Sequence, residues 1–420
     1  MTESVSIGTD DITRERPGPL SDIKVVDLTH WAAGPVASMV LGDLGADILK
    51  IEPPTGEPQR GMGVTFPGGW STFFLACQRN KRFVSINYRD PRGRDLIQKL
   101  ASRADVVIEN ARPGTWERHG LDYDTLRSLN PRLIYASITG FGQTGPMRDW
   151  LAMDPIAQAA GGIVGITGSP EGGPAKVGAA ITDVVSGRLA AFGVVTALYD
   201  RLHTGVGQRV DASLFSTAVG LLTMRETEFQ FTRQNPPLLG TAHGQIVPAE
   251  AFTTRDDRRV MLCIYSDWHW ARFAELAGAP ALAQDDRFTT NSARCEHRVA
   301  TIAAVQDVIR QRTEAEWTGL LAGEIPYGPV LEFDQLWSHP QLDANELIAR
   351  YDMPGVGEVR AIGSPIRFSG FSQPVRRVPA PTGADTVEVL RENGLSEAEI
   401  EELIAGGVVH SAPSESVSTV

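Results

Sequence analysis

The chain has 420 residues, 42% hydrophobic and 21% charged, with a formal net charge of −12. That length exceeds a single core and predicts two domains, while the acidity excludes a general nucleic-acid binder and a protein held on anionic membranes. Cys77, Cys263 and Cys295 form no CxxC pair, so no zinc or disulfide framework is expected, and the chain is read as cytoplasmic.

Residues 1–19 are polar and mixed in charge, without the apolar core of a signal peptide, and read as a frayed start. From residue 20 short β-rich runs alternate with helical ones. The strands are IKVVDL (23–28), DILKIE (47–52), RFVSINY (82–88), ADVVIEN (104–110), RLIYASI (132–138) and QRVDASL (208–214). Helices are expected over 34–45, 90–103 and 183–202. Near-continuous apolar strands separated by helices predict a parallel sheet covered on both faces, a Rossmann-like α/β domain. No apolar run is taken to reach bilayer-spanning length, so no membrane partner is expected.

The character changes near residue 240. AEAFTTRDDRRVMLCIY reads as a hairpin, and helices follow around WHWARFAELAG, EHRVATIAAVQDVIRQR and EAEWTGLLAG. This predicts a smaller α+β domain. After IPYGPV (325–330) come short strands and one last helix, DTVEVLRENGLSEAEIEELIAGG; residues 411–420 read as a disordered tail.

The sequence has no P-loop, no GxSxG and no HExxH, and its eight histidines show no ligand spacing, so neither ATP nor a metal is expected. VVDLTHWAAGPVASMVLGDLGADILKIE has the layout of a nucleotide-binding βαβ unit, yet Gly34 stands alone at the turn, which argues against NAD. In residues 79–95, Arg79, Lys81, Arg82, Arg89, Arg92 and Arg94 are concentrated, and Arg118 could join them. They form either a solvated rim or a site for a polyanionic small ligand. Glycine-rich loops lie at 139–146, 161–174 and 240–245. In GAAITDVVSG (178–187), Asp183 is either a helix-capping acid or an ionised carboxylate left open, by small neighbours, to attack an activated acyl group. Composition leaves both readings open.

Several segments together resemble the class III coenzyme A transferases, the formyl-CoA and carnitine-CoA transferase family. They are LTHWAAGPVASMVLGDLGADILKIEPP, FLACQRNKRFVSINYRDPRGR, the stretch ADVVIENARPGTWERHG onward to GFGQTGP, DPIAQAAGG, GAAITDVVSGRLAAFGVV, IPYGPV and GSPIRFSGF. The resemblance implies a large domain of residues 20–214 completed by 332–410, a small domain of 241–320, linkers at 215–240 and 321–331, and an interlocked homodimer. It implies that Asp183 is the nucleophile, forming first an aspartyl–acyl anhydride and then an aspartyl–CoA thioester. It also implies that His30, Ala33, Ile86, Arg89, Asn110, Ala111 and Arg118 contact CoA. Gly240, His243 and Gly244 would belong to a loop shielding the intermediates. Acyl-CoA and a small carboxylic acid are then the partners, with CoA a substrate and no bound cofactor.

The chain departs from the oxalate enzymes of the family at Ala32 (preceded by Trp31), Pro53, Leu151 and Met153. An apolar lining of Trp31, Ala32, Leu151 and Met153 beside Asp154 predicts a larger or less polar acid than oxalate. Two alternatives remain. One is an α-methylacyl-CoA racemase of the same superfamily, although Met153 stands where that branch has histidine and Arg127 or a neighbour where it has its second base. The other is a non-catalytic CoA-binding protein.

Overall fold

The computed structural model describes residues 18–65 and 69–412. The expectations for the frayed start and the tail fall mostly on residues 1–17 and 413–420, outside that range. The chain divides into two compact units. One comprises residues up to 163, 177–223 and 342 onward; the other comprises 164–176 and 224–341.

In the first unit the strands are β1 (Lys24–Asp27), β2 (Asp47–Glu52), β3 (Arg82–Ile86), β4 (Val106–Glu109), β5 (Ile134–Thr139), β6 (Arg209–Ser213) and β7 (Val409–His410). They form one sheet in the order β7-β3-β2-β1-β4-β5-β6, parallel except for β7. Its helices include α1 (Ala33–Asp43), α2 (Thr72–Cys77), α3 (Pro91–Ala101), α4 (Tyr123–Leu129), α5 (Asp154–Ala160) and α6 (Ile181–Thr204). Because successive strand residues point to opposite faces, Val26, Leu49, Val84 and Val107 enter one core and Val25, Ile48, Val106 and Ile134 the other. Both faces need apolar residues, hence the near-continuous runs in the sequence.

The edge beyond β3 is sealed by the end of the chain. Phe83 N donates to Asp385 Oδ2 (2.7 Å), Ser85 N to Thr386 Oγ1 (2.9 Å) and Asn87 N to Val408 O (2.7 Å). A hairpin of Ile348–Met353 and Gly357–Ile362 also belongs to this unit.

The second unit has a three-stranded antiparallel sheet, Ala249–Thr253 beside Arg259–Cys263 beside Tyr327–Pro329. Its core holds Phe252, Trp270, Phe273 and Trp317, and the buried Arg294 lies 5.0 Å over the Trp270 ring.

Several expectations are corrected. The last helix is two, Thr386–Glu392 and Glu397–Ala405, because Gly394 takes φ +83° and Ser396 with Glu399 starts a new helix through a capping box. Residues 215–240 are not a bare linker, since they hold most of Leu214–Gly220 and all of Thr223–Thr232. Residues 321–331 contain the third strand of the small sheet. Residues 164–176 group with the second unit, where Gly168 O accepts from Gly240 N (2.7 Å). Finally, α6 has 24 residues and is long and apolar enough to cross a membrane by length and composition. Here its Ala190, Val194, Ala197 and Leu198 face packs into the core of the sheet.

Gly187 lets α1 and α6 cross closely: a Cβ there would lie 2.4 Å from Ala33 O and 3.0 Å from Val36. Gly187→Ala should therefore lower stability by about 1–3 kcal/mol in urea unfolding. Gly319→Ala, in the helix Glu314–Leu321 with open space around it, should instead be neutral or stabilise by up to about 1 kcal/mol.

Candidate active site

β1 ends on Asp27, fully buried. Its Oδ1 accepts from Thr29 N (2.8 Å) and Thr29 Oγ1 (2.5 Å), and its Oδ2 from Ser38 Oγ (2.5 Å). Lys50 of β2 and Lys81, just before β3, bracket it at 3.6 and 3.3 Å. Burial alone would raise the carboxyl, but the two lysines and the hydroxyls hold it at about 2. Lys50 also pairs with Glu57 at 3.1 Å and contacts Thr29 O.

This ionic cluster fixes the loop after β1. Glu57 Oε1 accepts from Trp31 N (2.8 Å), while Asn110, after β4, accepts from His30 N (2.9 Å) and donates to His30 O (2.6 Å). Trp31 is thereby held at φ +65°, a left-handed conformation costing an L-residue about 1–2 kcal/mol. Burial, followed by the charge of Lys50, pushes the His30 imidazole down to about 4, so it is neutral near pH 7.

Asp183 is the third residue of α6. Its carboxylate accepts no hydrogen bond from any described residue, and α6 begins without a side-chain cap of its own. Burial, with the charge of Asp154 added, raises it to about 6. Lost hydration is the larger cause, and the group is still ionised near pH 7, as expected of an open carboxylate.

The capping role falls to Asp154, at the start of α5 and only 5% exposed. Its Oδ1 accepts from Thr182 N (2.8 Å) and Thr182 Oγ1 (2.7 Å), and its Oδ2 from Gln158 Nε2 (2.7 Å). Gln158 Oε1 in turn accepts from Val177 N (2.8 Å). One carboxylate anchors the helix start; its neighbour is left without a donor.

The basic stretch divides. Arg79 pairs with Asp43 (2.6 Å), Lys81 with Asp27, and Arg82 with Glu392 (2.8 Å) and Glu388 (3.1 Å), all three cations being buried. Arg92 pairs with Asp90 (3.0 Å), the cap of α3. Arg89 and Arg118 are exposed and join Arg94 around His119, whose imidazole is lowered by burial and then by the charges of Arg94, Arg118 and Arg89.

Ala32 and Ala33 are buried, whereas Trp31, Leu151 and Met153 are exposed. Ile86 is wholly inside the core, so its side chain offers no surface to a ligand. Ala111 N is taken by Glu109, which burial raises to about 7 against the hydrogen bonds from Ser137 and Ala111. Gly240, His243 and Gly244 lie in the second unit, where Arg298 donates to the carbonyls of His243 (3.0 Å) and Gly244 (2.8 Å). Sequence reasoning missed Lys50, Glu57 and Glu109. A lysine inside the apolar run DILKIE was the readable signal for the first.

The model of CoA-transferase family III matches residues 20–386. Succinyl-CoA:glutarate CoA-transferase of Mus musculus is 35% identical over 394 residues, covering 93% of this chain and 90% of that one. Formyl-CoA:oxalate CoA-transferase of Streptomyces avermitilis is 33% identical over 410 residues, covering 93% and 99%. A crystal structure of a CaiB/BaiF family protein from Brucella suis superposes with a TM-score of 0.81 at 33% identity, covering 90% of this chain and all of that one. An α/β enzyme that transfers coenzyme A accounts for fold and matches alike. The chain belongs to CoA-transferase family III.

Lys50→Met would leave Asp27 and Glu57 buried without their shared cation, and should cost about 3–5 kcal/mol in urea unfolding. Arg255→Met, which removes an exposed pair with Glu316, should leave the urea midpoint almost unchanged.

Proposed function

We propose that the protein moves CoA from an acyl-CoA donor to a free carboxylic acid, with Asp183 as covalent nucleophile. The observation that carries this reading is the Asp183 carboxylate itself: half-buried, without a hydrogen-bond donor among the described residues, and set on a helix start anchored by Asp154. A carboxylate that has lost part of its hydration is a stronger nucleophile, and at about 6 it remains ionised near neutral pH.

An Asp183 oxygen attacks the thioester carbonyl; the C–S bond breaks and CoA leaves as thiolate, giving an aspartyl–acyl anhydride. The thiolate attacks Cγ of Asp183, releasing the donor acid and leaving CoA as a thioester on the enzyme. The acceptor carboxylate attacks that Cγ and expels the thiolate, which then takes the new acyl group and frees Asp183. One thioester is present at each end of the reaction, so no ATP is consumed. Arg89, Arg94 and Arg118, which pair with no acid among the described residues, are the proposed contacts for the phosphates of CoA, with His30, Ala33, Asn110 and Ala111 around the fixed loop. Gly240, His243 and Gly244 are proposed to shield the intermediates.

Asp154 bears against the racemase reading. Both of its oxygens are engaged by Thr182 and Gln158, and Met153 supplies no second base. A homodimer is part of the proposal, supported by the exposed stripe Leu189, Phe192, Tyr199 and Leu202 along α6. Light scattering should read twice the chain mass; a monomer would remove that part.

Asp183→Asn should lower transfer by at least about 10⁴-fold, in line with loss of a catalytic nucleophile. Mass spectrometry of the wild-type protein with acyl-CoA should show an adduct of one CoA that the variant lacks. With wild type, kcat/KM should rise with pH as Asp183 ionises, through about 6, and then level. Arg118→Ala should raise KM for acyl-CoA about tenfold with little change in kcat.

A further inference from the structure

The strand order of the large sheet reverses between β1 and β4: β2 and β3 follow on one side of β1, β5 and β6 on the far side of β4. In open α/β sheets ligands bind outside the carboxyl ends of the strands at such a reversal. His30, after β1, and Asn110, after β4, are joined across it by their two hydrogen bonds. The residue before Asn110 is Glu109, the last of β4 and only 5% exposed.

Its two carboxylate oxygens bind different partners. Oε2 accepts from Ala111 N (2.8 Å) and so fixes the turn that leads to Arg118. Oε1 accepts from Ser137 Oγ, which lies in register with Glu109 on the neighbouring strand β5. Ser137 Oγ accepts in turn from Gln143 Nε2 (2.7 Å), and Gln143 O from Arg148 Nε (2.9 Å). One carboxylate thereby ties the loop after β4 to the glycine-rich loop after β5, whose glycines give it little stiffness of its own.

Both hydrogen-bond partners of Glu109 are donors, which matches the ionised group and not its acid form. A proton on Oε2 would face the Ala111 N–H, and a proton on Oε1 would reverse the Ser137 bond and leave the serine proton without its acceptor. Burial nonetheless holds the group at about 7, against the bonds from Ser137 and Ala111 and the charge of Arg209, with Glu117 adding to the rise. Arg112, Asp122, Asp124 and Tyr135 line the same small cavity of about 60 Å³, and Arg209 is paired with Asp211 (2.9 Å).

We propose that Glu109 is a positioning residue, whose carboxylate holds the loops after β4 and β5 in the one arrangement that presents Asn110, Ala111 and Arg118 to CoA. This rests on the CoA-transfer reading. Glu109 touches no substrate; it acts through Ala111 N and through Ser137. CoA affinity then follows the proton on this buried group, and Glu109→Gln, which carries a donor where the network needs an acceptor, reproduces the protonated state at every pH.

The test measures CoA binding by calorimetry in the Asp183→Asn protein, which removes the covalent step and the titration of Asp183, with Glu109 intact or changed to Gln. The ratio of the two dissociation constants cancels the ionisation of CoA itself. It should be near one at pH 6 and about tenfold in favour of intact Glu109 at pH 8. A ratio that does not grow with pH overturns the proposal, since a merely structural loss would weaken binding equally at both. Hydrogen exchange of the free proteins at pH 8 needs no ligand. Peptides covering Ala111 and residues 140–146 should exchange about tenfold faster in Glu109→Gln. Ser137→Ala, which cuts only the branch to Gln143, should free residues 140–146 and leave Ala111 protected. Unchanged exchange at Ala111 in Glu109→Gln while CoA still binds removes Glu109 alone. No CoA binding by the Asp183→Asn protein itself, with circular dichroism showing it folded, removes the CoA site and this role with it.

Discussion

The cluster of Asp27, Lys50, Glu57 and Lys81 is the constraint on which the loop after β1 depends. Burying four charges is expensive, and they are tolerated only because each finds a partner of opposite sign at close range. Asp27 remains ionised at about 2 in a fully enclosed place because two ammonium groups face it. In return the cluster dictates backbone: Thr29, His30 and Trp31 have their peptide groups held by Asp27, Asn110 and Glu57, side chains from three different stretches of chain. A left-handed tryptophan persists there because its surroundings over-determine it.

A second division of labour separates two neighbouring carboxylates. Asp154 spends its acceptors on Thr182 and Gln158 and so secures the first turn of α6. Asp183, one residue beyond Thr182, has no donor among the described residues and has the field of Asp154 upon it. The same residue type is fully hydrogen-bonded in one place and bare in the other, so environment alone separates the two.

The sheet was legible because its strands must be apolar on both faces, and Val25–Val26 or Ile134–Tyr135 carry that requirement in adjacent letters. Asp183 stood out in the sequence through its small neighbours and the family pattern, and the structure adds its partial burial and its lack of a hydrogen-bond donor among the described residues. The basic stretch was not, because what turns Arg79 and Arg82 from ligand contacts into structural ions are Asp43, Glu388 and Glu392, which local spacing cannot connect. The capping of α6 failed for the same reason: its acid comes from position 154, not from the helix itself. Conversely, the split of the last helix was written locally, in Asn393–Gly394 and the Ser396–Glu399 box, beneath a periodicity that runs through both halves.

The sealing of β3 has a consequence for how the protein is made. Phe83, Ser85 and Asn87 find their acceptors only at Asp385, Thr386 and Val408. At roughly 5–20 residues per second, a ribosome needs about 15–65 s to travel from that strand to the segment that covers it. Throughout that interval the nascent sheet presents a bare edge, the kind of surface on which strands from other chains can pair. The last part of the chain is therefore also its protection against mispairing, and a message cut short before it would release a product whose sheet is open on one side.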